Sequence, residues 1–356
     1  MTSTDDDAVI LRRDGRAGRI TLNRPRAINA LTHDMVRRVD AALTAWEHDD
    51  AVTTVVIDGA GERGLCAGGD IRLIHDDARA GGGATATRAF WRDEYLLNAR
   101  ISTYPKPYVA LMDGLVMGGG VGVSAHGGVR IVTERSAIAM PETGIGFAPD
   151  VGGTYLLSRA PGELGTHLAL TTARLDAGDA VRAGFADHFV PRARLAAFAA
   201  ALADTDPAEV VRAHAAPAPV GPLAAHQEWI DRCYAADSVE EILARLTESG
   251  VPEAKEAAEA MSAKSPTALK VTLAALRRAR RLPTLAEVLD QEYRVSCASL
   301  SDADLVEGIR AQVVDKDRRP RWSPATLQEV TEAHVVRHFA PLGARELGLA
   351  PSPSGV

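Results

Sequence analysis

Two glycine-rich clusters, each directly after a short run of β-branched residues, constrain the fold of this chain most strongly. Residues 52–58 form the first run and residues 66–70 (CAGGD) follow it; residues 107–112 form the second run and residues 117–122 (MGGGVG) follow. Such runs are typical of buried strands, and glycine lets backbones approach closely. A helical stretch follows each cluster, and a helix N-terminus leaves backbone N–H groups without partners. The pattern predicts two strand–loop–helix segments whose N–H groups converge on one bound group.

The surrounding sequence predicts a largely parallel, layered α/β sheet. Residues 8–22 alternate polar and apolar around a glycine turn, which favours a hairpin. Thr32 is placed to cap a helix over residues 32–49, and residues 129–133 are a third β-branched run. Strands separated by helical stretches favour a layered sheet.

The C-terminal third predicts helices. Residues 213–222 are rich in alanine and proline and predict a linker. Ser265 and Pro266 have the residue types of an N-cap and a first helical position. We therefore predict a core over residues 1–212, a linker over 213–222 and a mostly helical region over 223–356.

Composition excludes several classes of function. The 356 residues are 46% hydrophobic, enough for a sizeable core, and the net charge of −7 argues against a nucleic-acid partner. Three cysteines without paired spacing favour a reducing compartment and no structural metal. The acidic residues 1–7 do not resemble a signal or transit peptide, and no apolar run reaches the roughly 18 residues of a membrane span. These features predict a cytoplasmic protein with no membrane partner.

The glycine clusters fit none of the familiar nucleotide-binding or nucleophile motifs. Val123 stands where a dinucleotide fingerprint needs its last glycine, which disfavours a nicotinamide dehydrogenase. His126 replaces the last glycine of a serine nucleophile elbow. Glycine content alone leaves two interpretations open, an oxyanion hole and a pair of tight turns.

Acidic residues beside these clusters are candidates for chemistry. Glu142 and Asp150 lie in a turn-rich stretch, residues 141–153, and a carboxylate there can act as nucleophile or general base. Spacing alone equally allows both to be turn or helix caps, and allows Asp70 to be an N-cap. Glu94 lies on a predicted helix, where a charge usually marks a solvated face.

Four motifs carry a family resemblance: residues 23–31 (NRPRAINAL), 66–71 (CAGGDI), 118–120 (GGG) and 141–142 (PE). In this order they resemble the crotonase (enoyl-CoA hydratase/isomerase) superfamily. The resemblance implies an α/β fold, a superhelix of stacked ββα units with a helical C-terminal extension here, and a bound acyl-CoA. It implies oxyanion donors at the Gly69 and Gly119 N–H groups, and coenzyme A contacts at Arg26, Ala27, Ile28, Ala67, Gly68, Asp70 and Ile71.

Further motifs narrow the resemblance to the 3-hydroxyisobutyryl-CoA hydrolases. They are residues 92–95 (RDEY), 106–110 (KPYVA), 117–122, 140–143 (MPET), 149–153 (PDVGG), 261–267 (MSAKSPT), 307–311 (EGIRA), 315–317 (DKD) and 320–322 (PRW). The resemblance runs from about residue 8 to about residue 340. It implies catalytic roles for Glu142, Asp150, Gly69 and Gly119, and substrate contacts at Glu94, Gly119, Glu142 and Asp150.

One missing carboxylate separates the subfamilies. The first catalytic glutamate of the hydratases maps onto Gly122, whereas the second maps onto Glu142. The resemblance therefore implies hydrolysis of a short-chain 3-hydroxyacyl-CoA, most closely 3-hydroxyisobutyryl-CoA of valine breakdown. The implied hydrolysis requires no cofactor, since coenzyme A is part of the substrate, and no metal, since the thioester is already activated.

Several alternatives stay open at this stage. The chain can instead be a hydratase or isomerase on a related acyl-CoA, or a non-catalytic acyl-CoA-binding paralogue. Glu142 can attack the thioester directly, through a mixed anhydride, or activate water. Ala148 stands where a larger side chain is expected, which leaves the acyl group open, and a homo-oligomer is compatible with the family.

Overall fold

Strands and helices alternate along the first part of the chain, and helices dominate the rest. The structure is a computed structural model that describes residues 7–350. Residues 1–6 and 351–356, the two ends of the predicted domains and most of the acidic N-terminal segment, lie outside the described residues.

The described strands are β1 (Val9–Asp14), β2 (Ala17–Leu22), β3 (Thr54–Gly59), β4 (Gly64–Cys66), β5 (Tyr108–Met112), β6 (Leu115–Met117), β7 (Val129–Val132), β8 (Ala137–Ala139) and β9 (His188–Phe189). The described helices are α1 (His33–Glu47), α2 (Ile71–Arg79), α3 (Thr85–Ser102), α4 (Gly119–Gly122), α5 (Gly153–Arg159), α6 (Leu164–Thr171), α7 (Ala177–Arg182), α8 (Arg192–Ala201), α9 (Pro207–His214), α10 (Gln227–Tyr234), α11 (Val239–Glu248), α12 (Pro252–Ser262), α13 (Pro266–Ala279), α14 (Leu285–Ser299), α15 (Ala303–Ile309) and α16 (Glu332–Arg337).

The chain forms two compact units, each assembled from three separate stretches. Unit 1 runs up to Gly69 and adds Leu96–Ala139 and Leu175–Gly221. Unit 2 consists of Asp70–Tyr95, Met140–Arg174 and the chain from Pro222 on. This division differs from the predicted one, because the predicted core over 1–212 contributes to both units. An alanine- and proline-rich stretch marks a break in regular structure, whereas packing between distant segments decides which stretches form one body.

Unit 1 contains all the described strands. A six-stranded sheet has the order β1-β2-β3-β5-β7-β9, and a three-stranded sheet has the order β4-β6-β8. The predicted hairpin is confirmed as the antiparallel pair β1–β2, and the neighbours from β2 to β9 are parallel, as are those of the second sheet. An apolar core that includes Val56, Val109, Ile131 and Phe198 packs helices α8 and α9 on the larger sheet.

Unit 2 is helical in its described residues, and the predicted helix start at Ser265 and Pro266 is confirmed. Helix α13 begins at Pro266, and the Ser265 hydroxyl accepts the Ala268 N–H at 3.0 Å. Ala148, Val295 and Phe339 pack against α13 in an apolar cluster. Within residues 7–350, no helix has both the length and the apolar character needed to cross a bilayer.

Candidate active site

The two glycine clusters meet at the edge of the small sheet of unit 1. Strands β4 and β6 are parallel neighbours, so their carboxyl ends lie at the same edge, and each leads into one cluster. A Cβ added at Gly68 would lie 3.5 Å from the Gly119 nitrogen, and one at Gly120 would lie 2.5 Å from the Cys66 carbonyl oxygen. The two clusters therefore lie close together, as predicted, while their shared binding of one group stays a prediction. Glycine is required at position 120 by the approaching backbone.

The Gly119 N–H is oriented by a turn that only glycine adopts readily. Gly118 has φ 48° and ψ −119°, and Gly119 is the first residue of α4, where an N–H has no carbonyl of its own helix to bond. Among residues 7–350, the backbone hydrogen bonds assign no acceptor to the N–H groups of Gly69 or Gly119. Both groups are thus available as donors to an anionic oxygen, as an oxyanion hole requires.

The predicted coenzyme A contacts fall into two groups. In unit 1, Arg26 and Ala27 lie on an exposed 3-10 turn, and the Ala67 N–H donates to the Ile28 carbonyl at 2.9 Å. The next residue, Gly68, accepts the Leu31 N–H at 2.8 Å, so these two loops are joined. In unit 2, Asp70 and Ile71 form the N-cap position and the first residue of α2. Their roles in binding stay predictions.

Asn29 joins these loops, and sequence reasoning gave it no role. It is fully buried with φ 55°, and its amide donates to the carbonyls of Ala60, Gly64 and Leu65 at 3.0–3.1 Å. Its Oδ1 accepts the Arg24 N–H at 2.9 Å. The sequence did carry a signal for this role. An asparagine just after a proline-containing turn is a candidate for a left-handed backbone position, which asparagine tolerates better than most residues.

Unit 2 brings together the three acids that the resemblance implied. Glu94 on α3, Glu142 at the start of a 3-10 turn and Asp150 before α5 are 2%, 5% and 6% exposed. Among the described residues, neither Glu94 Oε1 nor Glu142 Oε2 has a hydrogen-bond partner. Buried polar atoms are normally satisfied, so these two oxygens are suited to a ligand that donates.

The burial and the positions of these acids distinguish a site role from the solvated-face and cap roles that spacing also allowed. Glu94 is not on a solvated face, since α3 buries it. Asp150 does not cap α5, whose N-cap is Gly152, and Glu142 is the first residue of its turn rather than the cap before it.

Burial and mutual repulsion raise the pKa values of all three carboxyl groups. Loss of water raises the pKa of Glu94 and of Glu142 well above the ordinary glutamate value, and the nearby Asp150 charge raises both further. Burial raises the pKa of Asp150 to about 7, against the opposing effect of its hydrogen bond from Tyr95. Since these acids interact, their apparent pKa values belong to the cluster rather than to single residues, and perturbed acids of this kind are typical of functional sites.

A hydrogen-bond chain holds the Asp150 side chain. The Tyr95 hydroxyl donates to Asp150 Oδ2 at 2.7 Å and lies 2.7 Å from the Ser296 hydroxyl. Because the tyrosine proton points at the carboxylate, the serine hydroxyl is the donor to tyrosine. Tyr95 belongs to the motif at residues 92–95, but no role was predicted for it. No sequence signal near Asp150 points to Ser296 on α14.

A fourth buried acid, Glu292, lies on the same helix. Its Oε2 accepts the Gly152 N–H at 2.6 Å, and its Oε1 accepts the Thr154 N–H at 2.8 Å and the Thr154 hydroxyl at 2.5 Å. Burial raises its pKa to about 8, with the Asp150 charge contributing. Sequence reasoning missed it, because its partners are about 140 residues away.

In a further cluster with metal-binding residue types, the carboxylate is already paired with an arginine side chain. Asp302, His334 and His338 offer ligand atoms within 4.8 Å of one another, but the Arg337 guanidinium forms an ion pair with Asp302. His338 Nε2 also lies 2.7 Å from the second Asp302 oxygen. Both carboxylate oxygens therefore have partners within the protein.

Comparison with known proteins identifies the family. The enoyl-CoA hydratase/isomerase family model matches residues 17–339. The chain belongs to the enoyl-CoA hydratase/isomerase family. The predicted superfamily and fold are confirmed, and the matched range includes both glycine clusters as well as Glu94, Glu142, Asp150 and Glu292.

Related sequences within this family carry a hydrolase name. The zebrafish Danio rerio protein is 43% identical, over 98% of this chain and 94% of its own length. The Homo sapiens protein is 42% identical, over 96% and 90% respectively. Both are named mitochondrial 3-hydroxyisobutyryl-CoA hydrolase, in agreement with the subfamily resemblance.

Two crystal structures of family members carry other names. A carnitinyl-CoA dehydratase from Mycobacterium thermoresistibile is 54% identical with a TM-score of 0.93, covering 98% of this chain and 100% of its own. An enoyl-CoA hydratase from Rhodobacter sphaeroides is 47% identical with a TM-score of 0.91, covering 96% and 99%. These similarities establish the fold over nearly the whole chain.

The prediction of a cytoplasmic protein is wrong on this comparison. The zebrafish, rat and human relatives are all named mitochondrial proteins. The prediction depended on the composition of the first residues and on cysteine usage. A reducing environment and an acidic N-terminus describe chemistry that more than one compartment shares, so they do not determine the compartment.

Proposed function

We propose that this protein hydrolyses the thioester of a short-chain 3-hydroxyacyl-CoA. The substrate would be 3-hydroxyisobutyryl-CoA, and the products 3-hydroxyisobutyrate and coenzyme A of valine breakdown. The relatives that bear this name support the proposal over nearly the full chain. The observation that carries it is the buried Glu142 with an unpartnered oxygen, in a chain that has Gly122 at the other hydratase carboxylate position.

The proposed reaction begins with the Glu142 carboxylate. In the path that the resemblance favours, its oxygen attacks the thioester carbonyl carbon, the C–S bond breaks, and the thiolate leaves and takes up a proton. Water then hydrolyses the mixed anhydride and restores the carboxylate. In the alternative path, Glu142 removes a proton from water, which attacks the thioester itself. Oxygen labelling in a single turnover tests for the first path, since solvent oxygen enters the protein only if a mixed anhydride forms and water attacks its glutamyl carbon.

The other predicted site residues would bind and orient. In this proposal the Gly69 and Gly119 N–H groups donate to the developing oxyanion, a contact typically worth about 2.7–4 kcal/mol of barrier each. Asp150 would accept a hydrogen bond from the 3-hydroxyl of the acyl group or orient the attacking water. Glu94, whose Oε1 lacks a partner among the described residues, would bind the acyl end.

A second candidate is hydration or dehydration of an acyl-CoA, because the crystal structures at 54% and 47% identity carry those names. That chemistry adds or removes water across a carbon–carbon double bond and, in the hydratases, uses two carboxylates. Gly122 has no side chain to supply the first of them. The hydrolase is therefore the function that the residues support best.

The deciding experiment compares the two chemistries on one purified protein. Release of free thiol from 3-hydroxyisobutyryl-CoA is measured beside loss of the enoyl absorbance of crotonyl-CoA. Thiol release with negligible hydration supports the hydrolase, whereas hydration without thiol release rejects it. Coenzyme A binding without either reaction would indicate the non-catalytic paralogue. The homo-oligomer stays a prediction, which light scattering would test.

A further inference from the structure

Helix α14 carries two groups that reach the segment around Asp150. Glu292 is 1% exposed and accepts hydrogen bonds from Gly152 and Thr154. Ser296 lies one helical turn further on, on the same face of the helix, and contacts the tyrosine hydroxyl that donates to Asp150. One helix therefore contacts both the backbone after Asp150 and, through Tyr95, its side chain.

Glu292 supplies the missing cap of helix α5. This helix begins at Gly153 with Gly152 as N-cap, and no cap side chain bonds its first N–H groups. Orphan N–H groups at a buried helix start need an acceptor. The Glu292 carboxylate takes that place from a distant part of the chain, with one oxygen on Gly152 and the other on Thr154.

The backbone that Glu292 holds is strained. Val151 has φ 52° and Gly152 has φ 78°, and a β-branched residue at positive φ is a genuine outlier. Such a conformation persists only when its surroundings over-determine it. The Gly153 N–H closes the turn on the Asp150 carbonyl at 2.6 Å, so the direction of the Asp150 side chain depends on this turn.

We propose that Glu292 is a positioning residue, which holds the strained turn at residues 150–152 and thereby directs the Asp150 carboxylate. The proposal rests on the proposed function, because it gives Asp150 a part in turnover. A simple packing role is a poorer account of the geometry. All three donors converge on one carboxylate that is buried beside other acids, which is an electrostatically unfavourable place for a residue that only fills space.

Glu292→Gln is the direct test, because it perturbs the contact and keeps the shape. The glutamine amide keeps one acceptor oxygen, but its NH2 group replaces the other oxygen. That NH2 group then faces the N–H of Gly152 or Thr154, so one hydrogen bond is replaced by two donors that repel each other. We expect kcat for thiol release to fall about tenfold or more with a smaller change in KM. Glu287→Gln is the matched control, since Glu287 is a partly exposed capping-box acid on the same helix. It should lower the melting temperature slightly and leave kcat unchanged.

A double-mutant comparison separates positioning from general stability. If Glu292 acts through Asp150, then adding Glu292→Gln to Asp150→Asn should cause no further loss of kcat. Independent losses that multiply would overturn the proposal, as would a kcat of Glu292→Gln within about twofold of the wild type. Should Glu292→Gln not fold, Thr154→Val removes one donor and Thr154→Ser restores it. We then expect a several-fold loss of kcat that serine rescues, and equal activity of the pair would reject the proposal.

A crystal structure of Glu292→Gln keeps the test independent of the proposed function. We expect Val151 to leave its positive φ and the Tyr95–Asp150 hydrogen bond to lengthen from 2.7 Å. An unchanged turn contradicts positioning whatever reaction the protein performs. A folded wild type that releases no thiol would reject the proposed function alone, and the structural comparison would still decide the role of Glu292.

Discussion

Replacing Asp150 with asparagine should stabilise this protein while strongly lowering, but not abolishing, its activity. Burial raises the Asp150 pKa from an ordinary value of 3.8 to about 7. Between about pH 4 and pH 7 the native state therefore holds more proton at this site than the unfolded state does. Stability at this site falls as pH rises through that range, and the full penalty is present above about pH 7.

The shift sets the size of the effect. It is about three pH units, and one unit corresponds to about 1.36 kcal/mol, so the upper bound of the penalty is about 4 kcal/mol. Asparagine cannot ionise, yet its carbonyl oxygen can still accept the Tyr95 hydroxyl. We expect a gain of at least about 1 kcal/mol in the free energy of unfolding at pH 8, shrinking towards zero near pH 4.

Denaturant unfolding of both proteins across this pH range measures the difference. Asp34→Asn is the control, because Asp34 is an exposed aspartate in the first turn of α1. It should show no comparable gain at high pH. The reasoning would be refuted if Asp150→Asn were less stable than the wild type near pH 8, or if the difference did not depend on pH. A stabilised variant with much lower kcat is the result expected at a site where function opposes stability.

The remaining predictions concern single contacts of the two units. Glu142→Gln should lower thiol release by about a hundredfold or more, since it removes the proposed nucleophile or base; calorimetry should show coenzyme A binding largely unchanged, and near-normal turnover would reject the assignment. Tyr95→Phe removes the donor that lowers the Asp150 pKa, so that pKa should rise further. The limb of the kcat–pH profile that reports Asp150 should therefore move to higher pH. A profile that does not move would contradict this role of Tyr95. Asn29→Ala should reduce the free energy of unfolding by about 2–4 kcal/mol, because buried carbonyls such as that of Leu65 lose their donor; an unchanged melting curve would show that other groups hold this loop.

Local physics made much of unit 1 predictable from sequence. Alternation and β-branched runs act between near neighbours, so the hairpin at residues 8–22 and strands β3, β5 and β7 were identified within a few residues. The same holds for the caps at Thr32 and Ser265, whose hydroxyls bond N–H groups three residues on. The domain division was not predictable in this way, because α3 alone contributes residues to both units.

The candidate site required more than local pattern. Resemblance indicated which acids to consider, but spacing could not distinguish a reactive Glu142 or Asp150 from a cap. Burial of these carboxylates, and the absence of a partner for Glu142 Oε2 among the described residues, distinguish the two. Both properties depend on atoms that come from several helices.

The sequence by itself determined the strands, the helix starts and the glycine loops, since a few neighbouring residues specify each of them. Only the tertiary structure decided how Asp150 is held. Glu292 and Ser296 contact its turn and its tyrosine partner from helix α14, about 140 and 200 residues away along the chain. Such contacts leave no periodic trace in a single sequence, because they depend on how whole helices pack and on which polar groups that packing removes from water.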